Sequence, residues 1–404
     1  ADREKMELSE FYQLVFNYLE DFDIRQFSVP DGKLTWVNHT RRGRTTSFDN
    51  EFSASLENFR LNEDELQKDR LFFSDNFDVT IKDQEFALSD SVHVLKGSEI
   101  RLSSVNHSVQ VNNALLFPLI TSPKYSQLNT TYQVAIPQLN ISGFDFRKAW
   151  YSQAPEIDKI ELVSPRFQIY SKEGATRGLD LNAYRFPMPS FVESLKLNEF
   201  KISNGQATTY LTSGFRQNAR SGFSFSLSMP GTELKNDSLH QVEISSDNIQ
   251  LTISGFKAPL DEVHNLDIGT IGFDRERKVI SVEDLKVSPF MSARNNNVFN
   301  ISAPAITFSE FDLSEALNNN NFEFRDILVS NPDVFIEINR EMQDDTLEFL
   351  QTLDLYPYVE ALVNRIAVNN LRLQNANLHF NWLQKQLFNN KINLRFHDIQ
   401  IGEN

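Results

Sequence analysis

There is no cysteine among the 404 residues, so neither disulfides nor thiolate metal sites hold this chain together. That composition suits an exported protein without demanding one, because many cytosolic chains also lack cysteine. No apolar run approaches the roughly 20 residues of a transmembrane helix. Residues 1–22 are charged throughout and do not resemble a secretory signal. Basic charge is scarce: 39 Lys and Arg stand against 55 Asp and Glu, a net charge of −16. Nucleic acid is therefore excluded as an expected partner, since phosphate binding needs a basic stripe. The cluster Arg41, Arg42 and Arg44 is isolated and reads as a solvated loop. Linkers rich in Gly, Pro or Ser are missing, which removes the usual hinge between independent domains.

Catalytic signatures are missing too. The sequence has no G-x-S-x-G elbow, no P-loop and no dinucleotide fingerprint. Its seven histidines are scattered, without the convergent spacing a metal needs. A glycan hydrolase would require a carboxylate pair in one cleft, and none can be located from the sequence. No enzymatic activity, resident metal or cofactor is expected.

What the chain does have is a repeat. SDNFDVTI (Ser74 to Ile81) returns as SDNIQLTI (Ser246 to Ile253), a step of about 172 residues. Val92 to Leu95 matches Val263 to Leu266, and Pro118 matches Pro289. FDFRKAW (Phe144 to Trp150) matches FDLSEAL (Phe311 to Leu317). KIELVSPRFQI (Lys159 to Ile169) matches DILVSNPDVFI (Asp326 to Ile336), with Pro165 over Pro332. FSVPDGKLTW (Phe27 to Trp36) recurs as FKISNGQATTY (Phe200 to Tyr210) and as LRLQNANLHF (Leu371 to Phe380). Modules repeated in this way bury their apolar faces on one another. The expected organisation is one continuous array: unit 1 over 1–178, unit 2 over 179–345 and a partial unit 3 over 346–404. The chain begins inside this pattern and stops within it, and is read as a piece of something longer.

Alternation of apolar and polar residues dominates each unit. Phe77, Val79 and Ile81 face one way, and Asp78 and Thr80 the other; Ile249, Leu251 and Ile253 repeat this. Phe223, Phe225 and Leu227 alternate with serines. Leu371 and Leu373, Leu378 and Phe380, and Ile392, Leu394 and Phe396 continue the pattern. A period of two implies strands with one apolar and one polar face, in a largely antiparallel sheet. The 34 phenylalanines against 10 tyrosines and 3 tryptophans concentrate on the apolar side. Asp31-Gly32 and Asn204-Gly205 fit tight hairpin turns that need positive φ, and Asn375-Ala376 is a poorer version.

Helices are few. Apolar residues at helical spacing predict one over 5–22, a shorter one after Pro189, and a third from Asp345 towards Arg365, broken near Pro357. Each precedes the recurring FSVPDGKLTW-type stretch, so each unit is expected to open on a short helix and then build about eight strands. Further short helices are expected over 145–151 and 312–318, with Asp145 and Asp312 as caps. His93 and His264 hold equivalent places and read as structural. The Asn-x-Ser/Thr triplets at Asn38, Asn106, Asn129, Asn140, Asn236 and Asn300 are about as many as chance gives in an Asn-rich chain, and are not read as glycosylation sites.

The order of LNISGFDFRKAW (Leu139 to Trp150), KIELVSPRFQIY (Lys159 to Tyr170), LKLNEFKISNG (Leu195 to Gly205) and FSFSLS (Phe223 to Ser228) resembles the AsmA-like proteins of the Gram-negative cell envelope. The likeness is to the large Bacteroidota-type members in particular, and it covers most of the chain as a pattern. It implies a periplasmic, elongated, curled β-groove built from repeats. It also implies a membrane anchor, expected outside these residues, and a role in phospholipid transport or outer-membrane homeostasis. It supplies no catalytic residues.

The expected fold is thus mainly β: a curled, largely antiparallel open groove of about 172-residue repeats, each introduced by a helix. The expected ligand is a phospholipid or other acyl-chain lipid. The expected groove lining is Phe77, Val79, Ile81, Phe223, Phe225, Leu227, Ile249, Leu251, Ile253, Leu371, Leu373, Leu378, Phe380, Ile392, Leu394 and Phe396. The alternative is a non-enzymatic scaffold subunit of a larger envelope secretion or assembly complex, with a closed core and protein partners.

Overall fold

A computed structural model describes residues 22–40, 43–61, 70–87, 92–151, 155–172, 194–213, 216–236, 242–260, 263–290, 298–311, 321–338, 365–382 and 385–402. The protein is mainly β, and the nineteen strands among the described residues form one large mixed sheet with solenoid-like stacking.

The first half opens on a long antiparallel hairpin, β1 (Phe22–Thr40) with β2 (Gly43–Leu61). Four strands follow as a meander: β3 (Asn76–Ala87), β4 (His93–Ser103), β5 (Ser108–Pro118) and β6 (Thr130–Ser142). Each is antiparallel to the one before. One short helix, α1 (Phe146–Tyr151), comes next. Asp145 Oδ1 accepts the backbone N–H groups of Arg147 and Lys148, both at 3.0 Å, so Asp145 caps this helix as its position predicts.

Two strands then share one line. β7 (Glu156–Val163) and β8 (Arg166–Lys172) are separated only by Ser164 and Pro165. Both lie antiparallel to β6 on one side and parallel to β9 (Ser194–Ser213) on the other. Parallel neighbours cannot be joined by a tight hairpin.

The second half repeats this succession. β9 forms a long hairpin with β10 (Arg216–Asn236). A short β11 (Val242–Ser245) and then β12 (Gln250–Pro259) pair with β10. β13 (His264–Asp274), β14 (Val279–Pro289) and β15 (Val298–Ser309) continue the meander. β16 (Asn321–Ser330) and β17 (Asp333–Ile338) again share one line, split by Asn331 and Pro332. Both run parallel to β18 (Arg365–Trp382), which closes a third long hairpin with β19 (Lys385–Gly402).

The dipeptides read as hairpin turns are not turns. Asp31-Gly32 lies inside β1, Asn204-Gly205 inside β9 and Asn375-Ala376 inside β18. Each marks a break in register against a single neighbour, between Val29 and Gly32, Ile202 and Gly205, and Leu373 and Ala376. Asn204 and Asn375 have φ of 54° and 55°. A bulge inserts one extra residue, often with the left-handed backbone a hairpin turn also uses, so the same residue types serve both. The last paired residues of these hairpins are Thr40 with Gly43, Ser213 with Arg216, and Trp382 with Lys385.

Left-handed residues line up across the sheet with these bulges. Asp83, Asn113, Ser164, Asn204, Gly255, Asp284, Asn331, Asn375 and Lys391 all have positive φ. Asn113 sits between the pairs Asn112–Gln138 and Ala114–Ile136, so Pro137 lies opposite it. Asp284 sits between Glu283–Ala305 and Leu285–Ala303, opposite Pro304. Each interrupts the extended backbone of its own strand, and the row of them creases the sheet along one line. The prolines fit there because these positions are skipped in the pairing, where a missing N–H costs least.

The helices expected over 5–22, after Pro189, and from Asp345 lie outside the described residues, as does the one over 312–318.

Candidate functional site: the apolar face

The cross-strand register joins apolar side chains into a single ladder. Starting at Phe52 in β2, it passes through Ile81, Ile100, Val111, Leu139 and Leu162 to Ile202 in β9. From Ile202 it continues through Leu227, Leu251, Phe273 and Ile280. Phe308, Ile327 and Leu371 carry it to Phe396 in β19. Every rung is apolar, and fifteen strands contribute one each. A second ladder beside it runs from Phe225 through Ile253, Ile271, Val282, Ile306, Val329 and Leu373 to Leu394.

The opposite face is polar in the same register. Thr80, Arg101, Gln110, Asn140, Glu161, Lys201, Ser228 and Gln250 are successive partners. Along this face Lys159 Nζ lies 3.1 Å from Glu161 and 3.7 Å from Glu199. Ser203 Oγ donates to Glu161 Oε1 at 2.7 Å. That hydrogen bond is the chief cause holding the Glu161 carboxyl below its ordinary pKa. Lys159 and Lys201 add to it, and burial opposes it.

All nineteen described strands belong to one hydrogen-bonded sheet. Thirteen of the fifteen rungs are half-buried, Ile202 is buried, and Phe396 is 44% exposed. In a two-layer core such residues would be close to fully buried. One margin of the face is closed by the chain's own aromatics. Phe77, 4% exposed, packs edge-on against Phe72 and Phe146 with ring centres 5.0 and 5.1 Å apart. Phe311 packs edge-on against Phe273 and stacks on Phe322 and Phe324.

The expected lining residues fall on this face with differing surroundings. Leu227 pairs with Leu251, Phe225 with Ile253, Leu371 with Phe396, and Leu373 with Leu394. Ile392 pairs with Ala376. Phe223 lies 6.1 Å from Phe225 and 5.9 Å from Phe256, ring centre to ring centre. Leu378 and Phe380 lie beyond the crease, beside Val334 and Ile336. Val79 and Ile81 stand at the far end, linked to the rest only through intervening rungs. Phe77 is spent on the aromatic plug, and Ile249 precedes β12 instead of lying in it. Ile100, Val111, Leu139, Leu162, Phe273, Ile280, Phe308 and Ile327 were not singled out from the sequence, although the same alternation marks them.

A shallow hollow of about 540 Å³ at the crease is lined by Lys82, Ser98, Glu99, Asn112, Asn113, Pro137 and Gln138, open to solvent and without an apolar floor. His93 and His264 are both buried, and His264 Nε2 accepts the Phe299 N–H at 3.0 Å, which ties β13 to β15. No group of three or more metal-ligating side chains occurs among the described residues, and no helix there is long and apolar enough to cross a membrane. The molecule is thus a single-sheet, solenoid-like β protein whose candidate site is an apolar ladder. No known protein family and no curated protein matches the chain.

Proposed function

We propose that the apolar face holds acyl chains, and that the protein binds or conducts phospholipid in the cell envelope. The observation that carries this reading is the unbroken ladder from Phe52 to Phe396. Strands lie about 4.8 Å apart, so fourteen steps extend on the order of 65 Å. A lipid chain reaches about 15 Å, half of a bilayer's hydrocarbon core. One lipid would therefore cover only part of the ladder, which suits passage from rung to rung better than a single fixed pocket. Hydrocarbon laid on half-buried rungs gains roughly 25 cal/mol per Å² of apolar surface removed from water.

Repeats of about 172 residues, each adding a hairpin, a meander and a kinked strand, would lengthen such a path without altering its cross-section. The resemblance to AsmA-like proteins supports the same reading and the periplasmic location it implies.

The test is native mass spectrometry of the purified chain, with lipid extraction and identification from the same sample. Bound phospholipid in defined stoichiometry is expected. It should be lost in Leu251→Asp, whose side chain falls on a central rung, and retained in Gln250→Asp on the polar face. A lipid-free protein of full stability, or capture undiminished in a folded Leu251→Asp variant, would overturn the proposal.

A further inference from the structure

Beyond the crease the apolar face of unit 1 continues as a third ladder, from Phe86 through Leu95, Leu116, Val134 and Phe167 to Ala207 and Phe223. The ring of Phe225 lies 5.7 Å from that of Phe167 and 6.1 Å from that of Phe223, centre to centre, so the ladders share a face. Side chains along a strand alternate between faces. The residues two places further out along β6, β8, β9 and β10 therefore lie on this face too, paired as Tyr132, Ile169, Thr209 and Ser221.

In that row the face changes chemistry. Thr209 Oγ1 and Ser221 Oγ are 2.6 Å apart, and in the next row out Thr130 Oγ1 and Ser171 Oγ are 3.4 Å apart. Tyr132, Thr209 and Ser221 are half-buried. The row carries hydroxyls and no charge.

Unit 2 fills the corresponding row differently, with Phe299, Ile336, Phe380 and Leu387 paired in the same order. The correspondence follows from the repeat: Pro165 over Pro332 sets Ile169 over Ile336, and Asn204 over Asn375 sets Thr209 over Phe380. Strand pairing at this place is thus compatible with a wholly apolar row. The hydroxyls of unit 1 are not demanded by the sheet, and half-burying them on an apolar face is unfavourable unless they find partners.

We propose that this row of unit 1 holds the ester-linked glycerol region of a glycerolipid, while the matching row of unit 2 meets only hydrocarbon. The inference rests on the lipid reading of the apolar face and adds where along it the polar part of the molecule sits. Hydroxyls of Tyr132, Thr209 and Ser221 donate to ester carbonyl oxygens, which accept and cannot donate. An uncharged row suits an uncharged group. A strand rises about 3.3 Å per residue, so an acyl chain of about 15 Å that starts at Ser221 runs along β10 over Phe223 to Phe225.

The test titrates two soluble lipids into the whole protein below their micelle concentrations: diheptanoyl phosphatidylcholine and its diheptyl ether analogue. Headgroup and chain length are the same, and only the ester carbonyls differ. Isothermal titration calorimetry should show the ester lipid binding about tenfold tighter, the size expected when neutral hydrogen bonds to the carbonyls are lost. Two variants locate the preference. Thr209→Val with Ser221→Ala removes both partners of one hydrogen bond together, so neither is left unpaired, and Tyr132→Phe keeps the ring. In each the preference should shrink, while ether-lipid affinity and the circular dichroism spectrum stay as in the native protein. Equal binding of the two lipids by the native protein, or a preference undiminished in both variants, would overturn the inference and leave the lipid reading standing. Binding of neither lipid by the native protein would overturn both.

Discussion

The ring of Phe225 lies across the backbone of Gly205, its cross-strand partner, so closely that a Cβ on Gly205 would come within 2.7 Å of the ring. Gly32 and Phe52 form the same pair in the first hairpin. In the third the pair is Ala376 with Ile392, and Ala376 is completely buried. Glycine accompanies the flat, long aromatic, and alanine the shorter branched chain, so the volume across the pair is balanced each time.

Gly205→Ala should therefore destabilise the protein by about 1–3 kcal/mol through overpacking. The double variant Gly205→Ala with Phe225→Ile, which rebuilds the pair found in the third hairpin, should recover much of that loss. Urea denaturation of both singles and the double gives the coupling directly. Additive losses would mean the two residues do not act as a pair.

Glu161 sets an acid limit on the junction between β7 and β9. Its carboxyl is held below its ordinary value of 4.5, first by the Ser203 hydroxyl and then by Lys159 and Lys201 against the opposing effect of burial. A carboxyl whose pKa is lower folded than unfolded contributes stability in full above the unfolded value. That contribution is lost as pH falls through the folded value. Stability should thus fall below about pH 4.5 more steeply in the native protein than in Ser203→Ala. Carboxyl NMR titration should show the Glu161 pKa rising in that variant. An unchanged titration would show that the hydroxyl is not the cause.

His264 is a structural acceptor. It is 2% exposed and takes the Phe299 N–H at 3.0 Å. His264→Phe leaves a buried donor without that acceptor and should cost about 1–3 kcal/mol. His264→Gln, which can still accept, should cost less. Thermal or urea unfolding of the two variants distinguishes loss of the hydrogen bond from loss of ring packing.

The two faces of the sheet were legible in Phe77-Asp78-Val79-Thr80-Ile81 and its counterparts, because alternation is a property of one strand and needs no knowledge of its neighbour. The cap at Asp145 was legible for the same reason: its acceptor and the two amides it serves lie within three residues. Asn204-Gly205 was misread because a left-handed residue is required by a bulge as much as by a hairpin turn, and the dipeptide carries no mark of which. The aromatic partner that decides the matter, Phe225, lies twenty residues further on.

The sequence by itself determined that this protein would be built from strands with one apolar and one polar face, and that its landmarks would recur. Tertiary structure alone decided which strands meet. It placed Leu162 beside Ile202 in parallel, linked Phe52 to Phe396 through thirteen intermediate rungs, and drew the left-handed residues Asp83, Asn113, Asn204 and Asp284 into one crease. The reason is physical. Alternation follows from the pleat of a single chain segment. Register is a choice among partners distant in sequence, settled when backbone hydrogen bonds and side-chain rows are satisfied across the whole sheet together.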